Sequence, residues 1–156
     1  MKITWKQINL GAIGCALCVL SLCSVAIGQD KDKGNAVSLF DGKSLQGWSG
    51  LPANWSVQDG AITGETKADA PIGGNTFLIY DKPVKDFELT LEFKIMSGNS
   101  GIQYRSKVFD KDKFVVGGYQ ADIDANKRYM GINYEERGRN ILAERGERSE
   151  EHTSEL

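Results

Sequence analysis

A chain of 156 residues with 19 lysines and arginines against 21 aspartates and glutamates has a formal net charge of −2. That balance lacks the basic footprint a nucleic-acid partner requires. Its cysteines, Cys15, Cys18 and Cys23, fall in one apolar stretch near the start, and the lone histidine, His152, sits at the far end. The body of the chain therefore has no material for a disulfide, a thiol nucleophile or a Cys/His metal cluster.

In chain order, Lys2 and Lys6 come first, and an uncharged run follows from Ile8 to Gly28. Ala26-Ile27-Gly28 supplies small residues where a signal peptidase cuts. Residues 1–28 are expected to be a signal peptide outside the fold, in preference to a transmembrane anchor or a lipoprotein leader. The product would be periplasmic or secreted, would keep no stable membrane span, and would have lost every cysteine. Residues 29–36 read as a polar linker.

From Val37 onward the pattern is of strands and turns, with no helical period and no internal repeat. NWSVQDGAITGE (54–65) predicts two strands around an Asp59-Gly60 turn, because both central positions of a type I′ turn need positive φ. NTFLIYD (75–81) predicts a strand buried on both sides, closed by Lys82-Pro83. FELTLEFKI (87–95) puts Phe87, Leu89, Leu91, Phe93 and Ile95 on one face and charged or polar residues on the other. SGNSG (97–101) then reads as a hairpin loop turning on Gly98, Asn99 and Gly101.

Three more strands follow. GIQYRSKV (101–108) sets Ile102, Tyr104 and Ser106 against Gln103, Arg105 and Lys107. GGYQADID (117–124) sets Tyr119, Ala121 and Ile123 against Gln120, Asp122 and Asp124. YMGINYEE (129–136) adds Met130, Ile132 and Tyr134 against Gly131, Asn133 and Glu135. Short strands at this spacing predict an all-β sandwich or barrel, with one side of each strand facing the core. Trp48, Trp55, Tyr104 and Tyr119 are expected to pack in it. Residues 147–156 are polar and aperiodic, and RSEEHTSEL resembles translated adapter sequence, so this end is expected to be disordered or foreign.

Six stretches taken together carry a resemblance: SLFDGKSLQGW, NWSVQDGAITG, DFELTLEFKI, SGNSGIQYRS, GGYQADID and YEERGRNIL. In this order they resemble the 3-keto-disaccharide hydrolase domain family, over residues 37–146. The resemblance implies a concanavalin-like jelly-roll β-sandwich. It also implies later strands (a W-N segment, an N-G hairpin and a closing F-x-N-I strand) that this chain lacks, so the domain is expected to be incomplete at its C-terminus. Unpaired strand edges would follow.

The family's substrates, as the resemblance implies, are 3-keto-glycosides and 3-keto-disaccharides. A ketone at C3 acidifies the C2 proton. A base removes it, the enolate is held by a donor or cation, the group on C1 is eliminated, and water adds back. The polar sides of the restarting strands supply candidates. Asp122 is the preferred base or metal ligand, Arg105 a fixed positive fork, and Glu136 a further catalytic carboxyl. Gln103, Gln120, Asp124, Glu135 and Arg137 are candidates for binding the sugar. The competing structural reading is a solvated sheet face, with Glu135, Glu136 and Arg137 as a surface ion-pair cluster. A hard divalent cation on Asp122, Asp124 or Glu136 is chemically allowed, whereas no nucleotide cofactor is indicated. The alternatives are a non-catalytic carbohydrate-binding jelly roll and an ordinary glycoside hydrolase with two opposed carboxyls.

Overall fold

A computed structural model describes residues 1–12 and 36–147. The expected leader residues 13–28, linker residues 29–35 and tail residues 148–156 lie outside the described part. Eleven strands occur and, among the described residues, no helix. They are β1 (Lys2–Ala12), β2 (Val37–Ser38), β3 (Trp48–Ser49), β4 (Trp55–Gln58), β5 (Ala61–Glu65), β6 (Ile79–Tyr80), β7 (Phe87–Ser97), β8 (Asn99–Asp110), β9 (Val115–Asp124), β10 (Asn133–Glu136) and β11 (Asn140–Ala143).

One sheet runs β2-β1-β5-β4, with β7 on the other side of β1. The second runs β11-β10-β9-β8, and β3 pairs with β6 as a short ribbon. Every strand pair is antiparallel. Ile3, Trp5 and Ile62 of the first sheet and Ile123 of the second form one buried cluster with Phe40. Leu89, Leu91, Ile95 and Ile102 pack against it. Two antiparallel sheets sharing a core in this way match the expected all-β jelly-roll sandwich.

Several local expectations are met. Asp59 and Gly60 have φ of 51° and 69°, and Gln58 pairs with Ala61, as a two-residue type I′ hairpin requires. In β7, Leu89, Leu91 and Ile95 are half-buried between exposed neighbours, although Phe93 stays 43% exposed and leans on Trp5 with ring centroids 5.8 Å apart. Trp48 and Trp55 pack against the core, and Trp48 Nε1 donates to the Leu39 carbonyl at 2.8 Å.

Other expectations change. Residues 1–28 were expected to lie outside the fold, yet Lys2–Ala12 form an eleven-residue strand inside a sheet. The physical reason is alternation: Ile3 is fully buried and Trp5 is 7% exposed, facing the core from alternate positions. Burying a side chain such as Ile3 is worth about 1.5–3 kcal/mol. SGNSG is not a hairpin loop. β7 ends in one sheet and β8 begins in the other, so Gly98, at φ 81°, is a corner between sheets. NTFLIYD is a strand only at Ile79–Tyr80 and is half-buried, because one side rests on Trp48 while the other is not enclosed. The 129–136 strand starts only at Asn133; Gly131, at φ 80°, holds the preceding residues in a turn.

The alternation of β8 also breaks. Its pairing with β9 slips between Tyr104 and Lys107, and Arg105 takes φ 47°. This bulge rotates Ser106 onto the face of Gln103, not that of Tyr104 as strict alternation had it. Opposite it, Gly118 has φ 148°, and a Cβ there would lie 2.5 Å from Ser106 Oγ and 2.7 Å from Ser106 Cα. Gly118→Val is therefore expected to destabilise the chain by about 1–3 kcal/mol through backbone strain alone. Chemical denaturation would show this as a lowered midpoint with an unchanged slope.

Candidate functional site

β8 and β9 pair with Gly101 opposite Asp122 and Gln103 opposite Gln120. Alternation then divides the two strands. Ile102 and Ile123 face the core, while Asn99, Gln103, Gln120 and Asp122 share the opposite face. β10 continues that face, since Tyr134 pairs with Gln120 and Glu136 with Gly118.

On this face the polar side chains are ordered end to end. Ser106 Oγ donates to Gln103 Oε1 at 3.0 Å, and Gln103 Nε2 donates to Gln120 Oε1 at 3.0 Å. Gln120 Nε2 in turn donates to Asp122 Oδ1. Asn99 adds a side-chain hydrogen bond to the same carboxylate. The carboxylate only accepts, so the amide group of Gln120 must present its nitrogen to Asp122, and the direction of the remaining bonds follows.

Gln120 and Asp122 are each only 7% exposed. Burial pushes the Asp122 carboxyl above the ordinary carboxylate range. The hydrogen bonds from Gln120 and Asn99 oppose that shift, and the charges of Asp124 and Glu136 add to it. The face thus holds a desolvated carboxylate of raised basicity beside amide donors. It can accept a proton from a carbon acid and can recognise hydroxyl or carbonyl oxygens.

Gly101 makes the arrangement fit. A Cβ at this position would lie 2.5 Å from Gln120 Cγ and 2.7 Å from its Cδ. The sequence assigns Gly101 to a turn; the structure uses it mid-strand, so that Gln120 can lie flat across the neighbouring strand.

The other candidates are placed differently. Asp124 shares the face, but its carboxylate caps the following loop: Oδ1 accepts from Asn126 N at 3.0 Å and Oδ2 from Tyr129 N at 3.1 Å. Arg105 sits exposed on the bulge and, among the described residues, forms no hydrogen bond or ion pair with Gln103, Gln120 or Asp122. Glu136 lies on the Asp122 face and accepts from Asn75 Nδ2 at 3.3 Å through both oxygens. Glu135 turns instead to the β10–β11 hairpin, where its Oε2 accepts from Arg139 N at 3.0 Å and Nε at 2.5 Å. Those bonds hold its carboxyl below the usual range. Arg137 stacks on Phe109, with its guanidinium 5.0 Å from the ring centroid. The expected Glu135, Glu136 and Arg137 cluster therefore disperses, and the ion pair that forms is Glu135 with Arg139.

Tyr104 and Tyr119 lie on the core-facing side with ring centroids 5.7 Å apart, and Tyr104 OH donates to Asn133 Oδ1 at 3.0 Å. With both Asp124 oxygens engaged, no group of three or more metal-ligating side chains assembles among the described residues. Sequence reading missed Asn99, Ser106 and Asn75. Asn99 was legible as an odd-numbered residue in step with Gly101 and Gln103; Ser106 was hidden by the bulge, and Asn75 comes from a distant segment.

A β-sandwich with a buried, basic carboxylate among amides on one sheet face is the frame into which the comparisons fit. The chain belongs to the 3-keto-alpha-glucoside-1,2-lyase-like domain family, whose model matches residues 35–153. The match runs past Gly146 into residues 147–153, part of the end expected to be disordered or foreign. The chain is similar to the 3-keto-disaccharide hydrolase of Bacteroides thetaiotaomicron, with 37% identity over 91 residues. That stretch covers 53% of this chain and 31% of the relative, so the chain spans less than a third of that protein. No solved structure matches the chain.

Two outcomes are expected of this face. Gly101→Val drives a side chain into Gln120 and separates it from Asp122; a lowered Asp122 pKa, read by carbon-detected NMR titration, is not expected, since a hydrogen bond to the charged form is lost. The carboxyl should instead titrate higher than in the parent chain. The second concerns stability. A raised folded-state pKa means that the Asp122 contribution is fully present below the ordinary carboxylate range and is lost as pH rises through the raised value. Asp122→Asn should remove that decline, so melting temperatures of the two proteins, measured from pH 3 to 8, should diverge in favour of the variant as pH increases.

Proposed function

We propose that the protein is a carbohydrate-active enzyme that cleaves 3-keto-glycosides by base-assisted elimination followed by hydration, with Asp122 as the base. The observation that carries this reading is the Asp122 carboxylate, nearly buried, raised in basicity and oriented by Gln120 and Asn99. Membership in the 3-keto-alpha-glucoside-1,2-lyase-like family and similarity to a 3-keto-disaccharide hydrolase support the substrate class.

In this reading the C3 ketone makes the adjacent C2–H acidic. Asp122 takes that proton, and the C–H electron pair becomes the enolate. Its collapse forms the C1–C2 double bond as the C1–O bond breaks, and the departing oxygen takes up a proton. Water then adds across the double bond, its oxygen to C1 and a proton to C2. Carboxyl catalysis of such a transfer contributes about 10²–10⁴-fold. The Gln103 and Gln120 amides offer donors to sugar oxygens. Glu136, on the same face, is the candidate acid for the leaving oxygen, and Arg105 at the rim is a cation available to a substrate that reaches the bulge.

The test compares turnover of a 3-keto-disaccharide with that of its unoxidised parent. Turnover of the keto sugar alone is expected; equal turnover of both would point to an ordinary glycosidase, and binding without turnover to a carbohydrate-binding module. Asp122→Asn should lower kcat by about 10²–10⁴-fold with the fold retained by circular dichroism. An unchanged rate would remove Asp122 from the chemistry.

A further inference from the structure

The register that sets Gln103 opposite Gln120 continues across the sheet. Gln120 pairs with Tyr134 of β10, and Tyr134 pairs with Ile141 of β11. Side chains paired directly across antiparallel strands stand on one face. One row of the Asp122 face therefore carries two amides on β8 and β9, then an aromatic ring on β10 and an aliphatic chain on β11. Alternation groups Tyr134 with Ile132, which is buried, but the pairing with β9 sets the tyrosine beside the amides.

The core does not account for this apolar half. Tyr134 is half-buried and Ile141 is 41% exposed, and neither joins the buried cluster or the side chains packed against it. The Tyr134 hydroxyl donates to Asn140 Oδ1 at 3.3 Å, which draws the ring toward β11 and engages its polar tip. A ring held in this way offers a flat apolar surface. Asp122 stands two residues along β9 from the partner of Tyr134, so the two are diagonal neighbours, about 7–8 Å apart. That spacing falls within the length of a two-ring sugar. Glu136, the candidate acid for the leaving oxygen, shares the face two residues further along β10.

We propose that Tyr134, backed by Ile141, is the platform for the leaving-group ring: the sugar to be released rests its apolar face there, while the keto ring lies over Gln103 and Gln120 against Asp122. This orientation rests on the reading of Asp122 as the base. The chemistry of the two rings decides which lies where. The reacting ring develops charge on its ketone oxygen and needs donors, which β8 and β9 supply. The departing ring breaks only the bond at its linking oxygen, and its C–H face needs an apolar support. Tyr134 is thus a specificity-determining residue, and the ligand it selects is a glycoside whose leaving group is a second pyranose in preference to a small alcohol.

The experiment measures kcat/KM for a 3-keto-disaccharide and for the methyl 3-keto-glycoside of the same reacting sugar. The proteins compared are the full parent chain, Tyr134→Ala, Tyr134→Phe and Ile141→Ser. The ratio of the two values, disaccharide over methyl glycoside, should fall about 5-fold in Tyr134→Ala, the worth of roughly 40 Å² of apolar contact. It should fall less in Ile141→Ser, and Tyr134→Phe, which keeps the ring, should retain most of it. Both substrates are read on one preparation, so any loss of folded protein cancels in the ratio. A ratio unchanged by Tyr134→Ala, or lowered equally by Tyr134→Phe, overturns the platform while leaving the catalytic reading intact. If the parent chain turns over neither substrate, the catalytic reading fails and binding decides the platform. In an NMR titration the disaccharide should then shift the Tyr134 ring signals, the methyl glycoside should not, and Tyr134→Ala should bind the disaccharide about 5-fold more weakly. Tyr134 signals that do not respond to the disaccharide overturn the proposal.

Discussion

Backbone pairing of β1 on both of its edges is the constraint on which the sandwich rests. Hydrogen bonds of β5 and β7 have no partner in each other, so the first sheet is continuous only through residues 2–12. The same strand supplies Ile3 and Trp5 to the buried cluster that Ile123 joins from the facing sheet. Packing behind β8 and β9 therefore begins with a segment remote from them in sequence. The polar face that carries Asp122 is the other side of strands held in place by this contact.

Register, more than composition, makes the site. Acidic and amide residues are common along the chain, yet only the β8–β9 pairing sets a glycine opposite Asp122 and a glutamine opposite Gln120. Absence of a side chain at Gly101 lets Gln120 lie across its neighbour and reach the carboxylate. Asp124, two residues further on the same face, has similar burial but a different fate, because loop amides at Asn126 and Tyr129 occupy it. Two carboxylates of one strand are thus separated into a capping group and a basic one by what the following loop donates.

Much of the fold was readable in the sequence because strand alternation and turn chemistry are local. The faces of β7 and β9 and the Asp59-Gly60 hairpin follow from them. Turn residues do not state which sheet the next strand joins, so SGNSG looked like a hairpin when Gly98 is a corner between sheets. The bulge at Arg105 carries no glycine to announce its positive φ, and this displaced both Ser106 and the proposed cationic fork. At the amino end, the composition of a leader hid an alternating pair, Ile3 and Trp5, that suits a sheet. Gln103, Gln120 and Asp122 were legible as residues of one sheet face because they obey alternation. Asn75 was not, since its approach to Glu136 depends on tertiary packing.

The directed chain from Ser106 through Gln103 and Gln120 to Asp122 bears on when the cost of ordering is incurred. A free amide can rotate between two nearly equivalent orientations, and a sugar arriving at such a surface would have to select one. Here the negative charge at one end selects for all of them, and the entropy of that choice is spent as the strands assemble. The result is a preorganised array of dipoles whose polarity is already set. The face accordingly carries its donors and acceptors in one fixed order, set by the charge at its end.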